Sequence, residues 1–386
     1  MRLSRKALAI VLAVLVLPIV AVLAAHAYRD GAAFVIIAAG MQGPARRIAH
    51  WQTTSVTGLG VRPIPWRGGT LRSRAYQPHR ESGRGILLVP GVHAAGIDEP
   101  RLVGFARDIA SLGHPVLTVE LPDLKNYEIT TRTTDMIEDA AGWMMRQPEY
   151  HGRDGRIGVL GISFGGGLSV VATGRPAIKN GIAFVLAFGG HADLPRTLKY
   201  LCTGIQPDGA KRPPHDYGLA IVLLGAADLV VPPQQVEPLR LAIRSFLEAS
   251  RLDMVDKAKA ATEFERAKQL ATTLEEPART YMGYVNARDV ERLGPILLPH
   301  VELAGDPALS PTRSPLPAAP IYLLHGTDDN VVPAIESSLL ARHAEANGAK
   351  ARALLTPLIT HAEVDRSSTT RAIWRLVDFW ADVFDE

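Results

Sequence analysis

Gly161-Ile162-Ser163-Phe164-Gly165 follows the apolar run Ile157-Gly158-Val159-Leu160 and precedes the small-residue segment Gly165-Gly166-Gly167-Leu168-Ser169. This pattern predicts a buried strand, a sharp turn and a helix in that order, which places a serine hydroxyl at the end of a sheet. Such a turn strains the backbone of the serine, and the flanking glycines leave room for the neighbouring strand and helix. Because Gly-x-Ser-x-Gly also occurs by chance in a chain with 34 glycines, its meaning depends on the partners that Ser163 has elsewhere.

Short apolar runs alternate with helical patterns on both sides of Ser163. Runs of this kind are typical of strands buried on both faces of a sheet, and their alternation with helices predicts an α/β fold with a mostly parallel sheet and helices on both faces. The helical patterns that separate the first strands run from Arg101 to Leu112 and from Thr134 to Met145. The predicted strands are Thr70 to Tyr76, Gly85 to Val89, Val116 to Val119, the run before Ser163, Ile182 to Phe188, Ile321 to Leu324 and Ala351 to Leu355.

The alternation of strands and helices stops between residues 196 and 317, where long helical patterns replace the strands. Two of them run from Gln234 to Ala249 and from Leu252 to Ala271, between proline-rich edges. Since the sheet pattern resumes at Ile321, we expect residues 196–317 to be an inserted helical lid and residues 70–195 and 318–386 to form the α/β core; a separate C-terminal domain is the alternative. Residues 29–69 are expected to be a connecting segment.

The first 28 residues have the composition of a membrane anchor or a signal peptide. Arg2, Arg5 and Lys6 precede an apolar stretch from Ala7 to Ala25, about the length that crosses a bilayer. An uncleaved anchor fits this length, whereas Ala25-His26-Ala27 would serve as a signal cleavage site. Either way the basic end stays in the cytoplasm, so we expect an extracytoplasmic catalytic part, anchored to the membrane or released after cleavage. A buried core helix is the third alternative.

Composition excludes several classes of function. The net charge is +3 and no Lys/Arg cluster is interleaved with aromatic residues, so no nucleic-acid partner is expected. One cysteine, Cys202, excludes an internal disulfide framework and a zinc site of several thiolates. The chain has no His-Glu-x-x-His, Walker A or Gly-x-Gly-x-x-Gly pattern, so neither a metal nor a cofactor is expected.

Two candidate partners for Ser163 follow later strands. A serine hydroxyl needs a base within hydrogen-bond reach, and the base needs an acid to orient it. Asp329 lies in the loop after the Ile321 strand, with Asp328 as its nearest competitor; Asp193 is a more distant candidate whose position favours helix capping. His361 is the only histidine after Ala344 and is expected in a loop after the last strand. The chain order is Ser163, Asp329, His361.

A tetrahedral intermediate also needs two backbone N–H donors aimed at its oxyanion. Phe164, directly after the serine, is expected to give one, and the loop Pro90-Gly91-Val92-His93 after the preceding strand is expected to give the other. With these residues and the triad order, residues 70–195 and 318–386 resemble the α/β-hydrolase superfamily. By position in that resemblance Val92 supplies the second donor, although many members have His-Gly where this chain has Pro90-Gly91; the His93 N–H is the alternative, and its side chain would line the pocket.

Within the superfamily the chain resembles lid-bearing serine esterases and dienelactone-hydrolase-like proteins, but it has Ser163 where the latter carry cysteine. Epoxide hydrolase and dehalogenase chemistry is disfavoured because it would place a nucleophilic aspartate there. The expected activity is hydrolysis of a small carboxylic ester through an acyl-enzyme. Acyl transfer and thioester or peptide cleavage use the same triad and remain alternatives, as does a non-catalytic membrane-tethered binding protein.

Overall fold

The computed structural model describes residues 29–253, 256–359 and 370–386. A mixed sheet of nine strands forms its centre. The strands are β1 (Val56–Gly58), β2 (Arg62–Trp66), β3 (Gly69–Pro78), β4 (Ile86–Val89), β5 (Val116–Val119), β6 (Ile157–Ile162), β7 (Ile182–Phe188), β8 (Ile321–Gly326) and β9 (Ala351–Thr356). Every strand predicted from an apolar run is therefore present.

The sheet order is β1-β3-β5-β4-β6-β7-β8-β9, and β2 pairs with β3 beside β1. β3 is antiparallel to its neighbours, whereas β5, β4 and β6 to β9 are all parallel. In register, Leu87 of β4 lies opposite Val159 of β6, and Val185 of β7 lies opposite Ile321 of β8. Because parallel strands all end at one edge of the sheet, the loops after β4, β6, β7 and β8 meet there. We call this the carboxyl edge and the opposite one the amino edge.

Helices cover both faces of the sheet, as the alternating pattern predicted. One face packs against α1 (residues 29–38), α3 (Pro100–Ser111) and α14 (Thr370–Asp385). The other face packs against α5 (Thr131–Met144), α6 (Phe164–Thr173) and α13 (Ile335–Ala346). The two short helices near the strands are α2 (Pro44–His50) and α4 (Pro122–Lys125).

Residues 29–69 form part of the folded body: they contribute α1, α2, β1 and β2. The Phe34 ring of α1 lies 4.4 Å from the Trp380 ring of α14. A Cβ atom at Gly31 would collide with the Val377 carbonyl and the Ala381 backbone, so the two helices approach more closely here than larger residues allow. The segment that the sequence treats as a connection is thus held to the core by aromatic packing.

Between β7 and β8, residues 189–320 form what we call the helical insertion; its described residues make α-helices and short 3₁₀ turns. One long helix was expected from Leu252, but α9 ends at Asp253 and α10 begins at Lys257, where the Asp256 carboxylate accepts a hydrogen bond from the Lys259 N–H at 3.1 Å. Within the described part of the chain, no helix is both long and apolar enough to cross a membrane. The helices are α7 (Leu194–Thr203), α8 (Gly218–Val230), α9 (Pro233–Asp253), α10 (Lys257–Thr273), α11 (Ala278–Ala287) and α12 (Val290–Leu297).

Candidate active site

Ser163 occupies the turn between β6 and α6 with a strained backbone. Its φ of 53° and ψ of −132° are values that a residue with a side chain rarely adopts. Two hydrogen bonds hold it there: the Ser163 N–H donates to the Phe188 carbonyl at 2.7 Å, and the Gly166 N–H donates to the Ser163 carbonyl at 2.8 Å. The serine is therefore fixed at the carboxyl edge, at the amino terminus of α6.

Both glycines of the pentapeptide are required by close packing. A Cβ at Gly161 would collide with the Gly165 carbonyl and the Ser169 hydroxyl, and a Cβ at Gly165 would collide with the Pro90 carbonyl. The loop after β4 also touches the serine, since a Cβ at Gly91 would lie 3.1 Å from the Ser163 Cβ. These contacts place the β4 loop directly against the Ser163 turn.

This packing brings the two predicted oxyanion donors to the serine. Phe164 is the first residue of α6, and Val92 follows Gly91 in the β4 loop. Within residues 29–253, 256–359 and 370–386, neither backbone N–H has a hydrogen-bond acceptor. No acceptor in the described part of the chain therefore competes with a ligand for these donors, and the amino terminus of α6 adds a favourable potential for negative charge.

Of the two neighbouring acids, Asp329 is buried and Asp328 is not. Asp329 is 2% exposed, and its Oδ1 accepts hydrogen bonds from the N–H groups of Val331 (2.8 Å) and Val332 (3.0 Å). The Asp328 side chain is 72% exposed and pairs with Arg212 at 3.1 Å. A carboxylate that orients a base must be held rigidly in a dry site, which Asp329 satisfies and Asp328 does not.

The end of β7 connects Asp329 to the serine. Phe188, the last residue of β7, accepts the Ser163 N–H, and a Cβ at the next residue, Gly189, would lie 3.5 Å from Asp329 Oδ2. Ser163 and Asp329 therefore flank the same strand end. The fully buried His325 places its Nε2 3.3 Å from the same Oδ2.

His325 is not placed to act as the base. Its Nε2 lies 2.9 Å from the Val332 carbonyl, which can only accept, so Nε2 carries a proton; its Nδ1 lies 2.7 Å from the Ser337 hydroxyl. Both ring nitrogens are thus used within the core. The predicted base, His361, lies outside the described residues. In the sequence it comes five residues after the end of β9 at Thr356, on the carboxyl edge.

Asp193, the more distant candidate acid, caps a helix, as its position in the sequence favoured. Its Oδ1 accepts the Arg196 N–H at 2.9 Å at the start of α7, and its Oδ2 pairs with Arg313 at 2.6 Å. The guanidinium and the cap hold the pKa of this carboxyl below its usual range against the opposing effect of burial. Both carboxylate oxygens are thus engaged at the start of α7.

Sequence reasoning did not single out two tyrosines near these loops. Burial raises the pKa of Tyr127 to about 12, and the nearby Ala94 N–H of the β4 loop acts against this shift. Tyr127 also has a left-handed backbone, with φ 63°. Burial raises the pKa of Tyr217 as well, and both Asp329 and Tyr127 act on it electrostatically. A sequence signal for either was absent because their loops carry no motif.

The helical insertion is fastened to the loop that carries Asp329. The His215 N–H and the Tyr200 hydroxyl donate to the carbonyl of Asn330, at 2.8 and 3.2 Å. Arg212 adds the ion pair with Asp328. These contacts hold the first part of the insertion against the loop after β8.

Helix α9 of the insertion faces the β4 loop. Glu248 and Arg251 of α9 form a bidentate ion pair, with N–O distances of 2.8 and 2.5 Å. Both act electrostatically on His93 of the β4 loop, whose pKa is lowered chiefly by burial. His93 Nδ1 accepts the Ala95 N–H at 3.2 Å, so this side chain helps to shape its own loop. Within the described ranges, no three His, Cys, Asp or Glu side chains group as a metal site.

The sheet order, the antiparallel β3, the serine turn after β6 and the acid after β8 together define one known architecture. The chain has the α/β-hydrolase fold. No protein-family model and no curated protein matches the sequence.

Several solved structures of α/β-hydrolases resemble this chain. An acylaminoacyl peptidase in complex with a chloromethyl ketone matches at 14% identity and a TM-score of 0.49, over 86% of this chain and 42% of that one, so the chain spans less than half the length of that relative. An esterase of Pyrobaculum calidifontis matches at 16% and 0.47, over 92% and 90%. A thermostable carboxylesterase from a metagenomic library matches at 16% and 0.46, over 91% and 93%.

Proposed function

We propose that this protein is a serine hydrolase that cleaves a carboxylic ester, with Ser163 as nucleophile, His361 as base and Asp329 as acid. One observation carries the proposal: Ser163 is held in a strained turn at the amino terminus of α6, against two N–H donors with no acceptor in the described chain and beside the end of β7 that Asp329 also touches. A structural serine needs none of these features. Strain of this kind is commonly retained at catalytic positions.

In the proposed mechanism, Ser163 Oγ attacks the ester carbonyl carbon while His361 takes the hydroxyl proton. The carbonyl electrons move to the oxygen, and the N–H groups of Phe164 and Val92 stabilise this oxyanion. The intermediate then collapses, and His361 gives its proton to the leaving alcohol. Water attacks the acyl-enzyme by the same route in reverse, which releases the acid and restores Ser163.

Asp329 has a supporting role in this scheme. Two backbone hydrogen bonds and the neighbouring His325 fix its carboxylate, so it can hold the imidazole in one orientation and stabilise the imidazolium that forms. The helical insertion would shape the acyl pocket and exclude water, since it is fastened to the same loop. No metal or cofactor enters this chemistry.

Fluorophosphonate labelling together with hydrolysis of short-chain p-nitrophenyl esters tests the proposal. We expect wild-type protein to be labelled and active, and Ser163→Ala to lose both labelling and activity. Ser55→Ala, at an exposed serine far along the chain, is the matched control and should behave as wild type. If wild type is not labelled, or if Ser163→Ala is labelled equally, the proposal is wrong. Parallel assays with a thioester and an acyl peptide distinguish an esterase from the alternatives.

We also propose that residues 1–28 anchor the protein to a membrane with the hydrolase domain outside the cytoplasm. The support is the sequence: a basic start and an apolar run of bilayer length. N-terminal sequencing of the mature protein tests retention of the segment, because an anchored protein keeps its first residues whereas a cleaved one begins near Tyr28. Protection of the domain from protease added to the cytoplasmic side tests the orientation.

A further inference from the structure

An exposed apolar and basic patch lies around α2. Trp51, directly after this helix, is 78% exposed, the most exposed large hydrophobic residue in the described part of the chain, and Ile48 is 57% exposed. Arg47 on α2 and Arg80 beside it are both exposed, and neither forms an ion pair with any described residue. We call Ile48, Trp51, Arg47 and Arg80 the α2 patch.

The α2 patch lies at the amino edge of the sheet. The Arg80 guanidinium donates to the Thr53 carbonyl at 3.1 Å, two residues after Trp51. The next residue, Thr54, donates its N–H to the Ser111 carbonyl at 2.8 Å. Ser111 is the last residue of α3, just before β5 begins at Val116, so the patch sits where the parallel strands start.

The first described residues of the chain lie at the same corner. The Phe34 ring of α1 lies 5.4 Å from the Phe384 ring, and His114 comes three residues after Ser111. The His114 ring lies 5.0 Å from the Phe384 ring in the last turn of α14. Residues 1–28 therefore join the domain close to the α2 patch.

We propose that the α2 patch docks on an anionic bilayer surface beside the N-terminal segment and holds the carboxyl edge, with Ser163, away from the membrane. The inference rests on the proposed membrane anchor but not on the proposed chemistry. Tryptophan beside arginine is the composition preferred at the membrane interface, where the indole sits among headgroups and the guanidinium pairs with lipid phosphate.

The size of the patch argues for a lipid surface over a second copy of the chain. A stable protein interface needs about 800 Å² on each partner, and a single large aromatic side chain buries at most about 250 Å². A tryptophan and an isoleucine fall far short of that area. For a domain already tethered to the bilayer, by contrast, a few interfacial side chains suffice to set orientation, because the tether supplies a high effective concentration.

The opposite edge supplies a matched control. Ile373 and Trp374, at the start of α14, are 40% and 60% exposed, so they form another isoleucine–tryptophan pair on the surface. They lie towards the carboxyl edge, because Tyr322 at the start of β8 donates to Glu386 at the other end of α14, at 3.3 Å. Ten helical residues, about 15 Å, separate Trp374 from the Phe384 corner.

The test places one fluorophore at each edge of the full-length protein. The sole native cysteine, Cys202, is buried, so an introduced cysteine takes the label. Ile48→Cys and Ile373→Cys are each labelled with an NBD fluorophore and reconstituted into nanodiscs of phosphatidylcholine and phosphatidylglycerol that carry headgroup-level spin-labelled lipid. We expect quenching at residue 48 to exceed that at residue 373 by at least about twofold, as for a residue at the headgroup level compared with one held in water.

Charge and aromatic variants then identify the contact. Arg47→Glu with Arg80→Glu, and separately Trp51→Ser, should lower the quenching at residue 48 by about twofold or more, and pure phosphatidylcholine should do the same as the charge variant. Three results would each overturn the proposal. The first two are equal quenching at both positions and stronger quenching at residue 373. The third is a label at residue 48 that is shielded from water without being quenched by lipid. The last result would mean that residues 1–28 or a second copy cover the patch. Esterase activity plays no part in these readouts, so failure here is distinct from failure of the proposed function.

Discussion

Replacing Asp329 with asparagine separates its charge from its shape. Asp329→Asn keeps the volume, and its carbonyl oxygen can still accept the N–H groups of Val331 and Val332. The new NH₂ must then take the position of Oδ2, which faces His325 Nε2 at 3.3 Å. Because that nitrogen already donates to the Val332 carbonyl, two donors face each other.

Two effects of different size follow. The mismatch of donors at a buried site should lower the free energy of unfolding by about 1–3 kcal/mol. The effect on turnover should be larger, since a neutral amide stabilises the wrong tautomer of the base: kcat should fall by about 10⁴-fold, equivalent to about 5.4 kcal/mol of transition-state stabilisation. Catalysis is thus affected more strongly than folding.

The neighbouring residue provides the control. Asp328→Asn removes only an exposed pair with Arg212, which contributes about 0–1 kcal/mol, so kcat and stability should both remain near wild type. Ester hydrolysis at saturating substrate gives kcat, and urea unfolding of the same preparations gives stability. The reasoning is refuted if Asp329→Asn turns over as wild type while folded, or if Asp328→Asn has the larger effect on kcat.

Three further changes test other parts of the site. Gly165→Ala should abolish activity and lower the free energy of unfolding in urea by several kcal/mol, because its Cβ would strike the Pro90 carbonyl. Gly225→Ala in α8 is the control: it has open space around it and should be neutral or stabilising by up to about 1 kcal/mol. Equal effects of the two changes would contradict this packing argument. Tyr127→Phe removes a buried hydroxyl near the Ala94 N–H of the β4 loop. It should lower kcat by up to about tenfold with little change in KM, as steady-state kinetics would show; an unchanged kcat would exclude a positioning role. The rate of ester hydrolysis should fall at acidic pH, because the base must be neutral to take the serine proton; a rate that is flat down to pH of about 4 would exclude His361 as the base.

The sheet was predictable because strands that are buried on both faces are made mostly of apolar residues, which can be read directly from the sequence. β4 to β8 are buried on both faces, so each is made mostly of apolar residues, and the structure confirms each of these predicted strands. The role of residues 29–69 was not predictable. β1 and β2 pair only with β3 at the edge of the sheet, and their mixed, partly exposed residues carry little periodic signal.

The site, too, has one part that could be predicted from the sequence and one part that could not. Ser163 and its glycines stand in one local motif, so their geometry follows from neighbours in sequence. The choice between Asp328 and Asp329 does not, since two adjacent aspartates have the same composition around them. Only the turn after β8 directs one side chain into the core and the other to Arg212.

The sequence by itself determined the strand and helix pattern, the serine turn and the order of the candidate triad, because these depend on residues close together in the chain. The tertiary structure decided which groups lie around Ser163: the β4 loop packed against it, Asp329 beside the end of β7, Tyr127 near the β4 loop, and the helical insertion held against the loop after β8. It also placed the α2 patch and α1 at the edge opposite the site. Such relations join residues that are tens to hundreds of positions apart, and only the packing of the sheet and its helices brings them together.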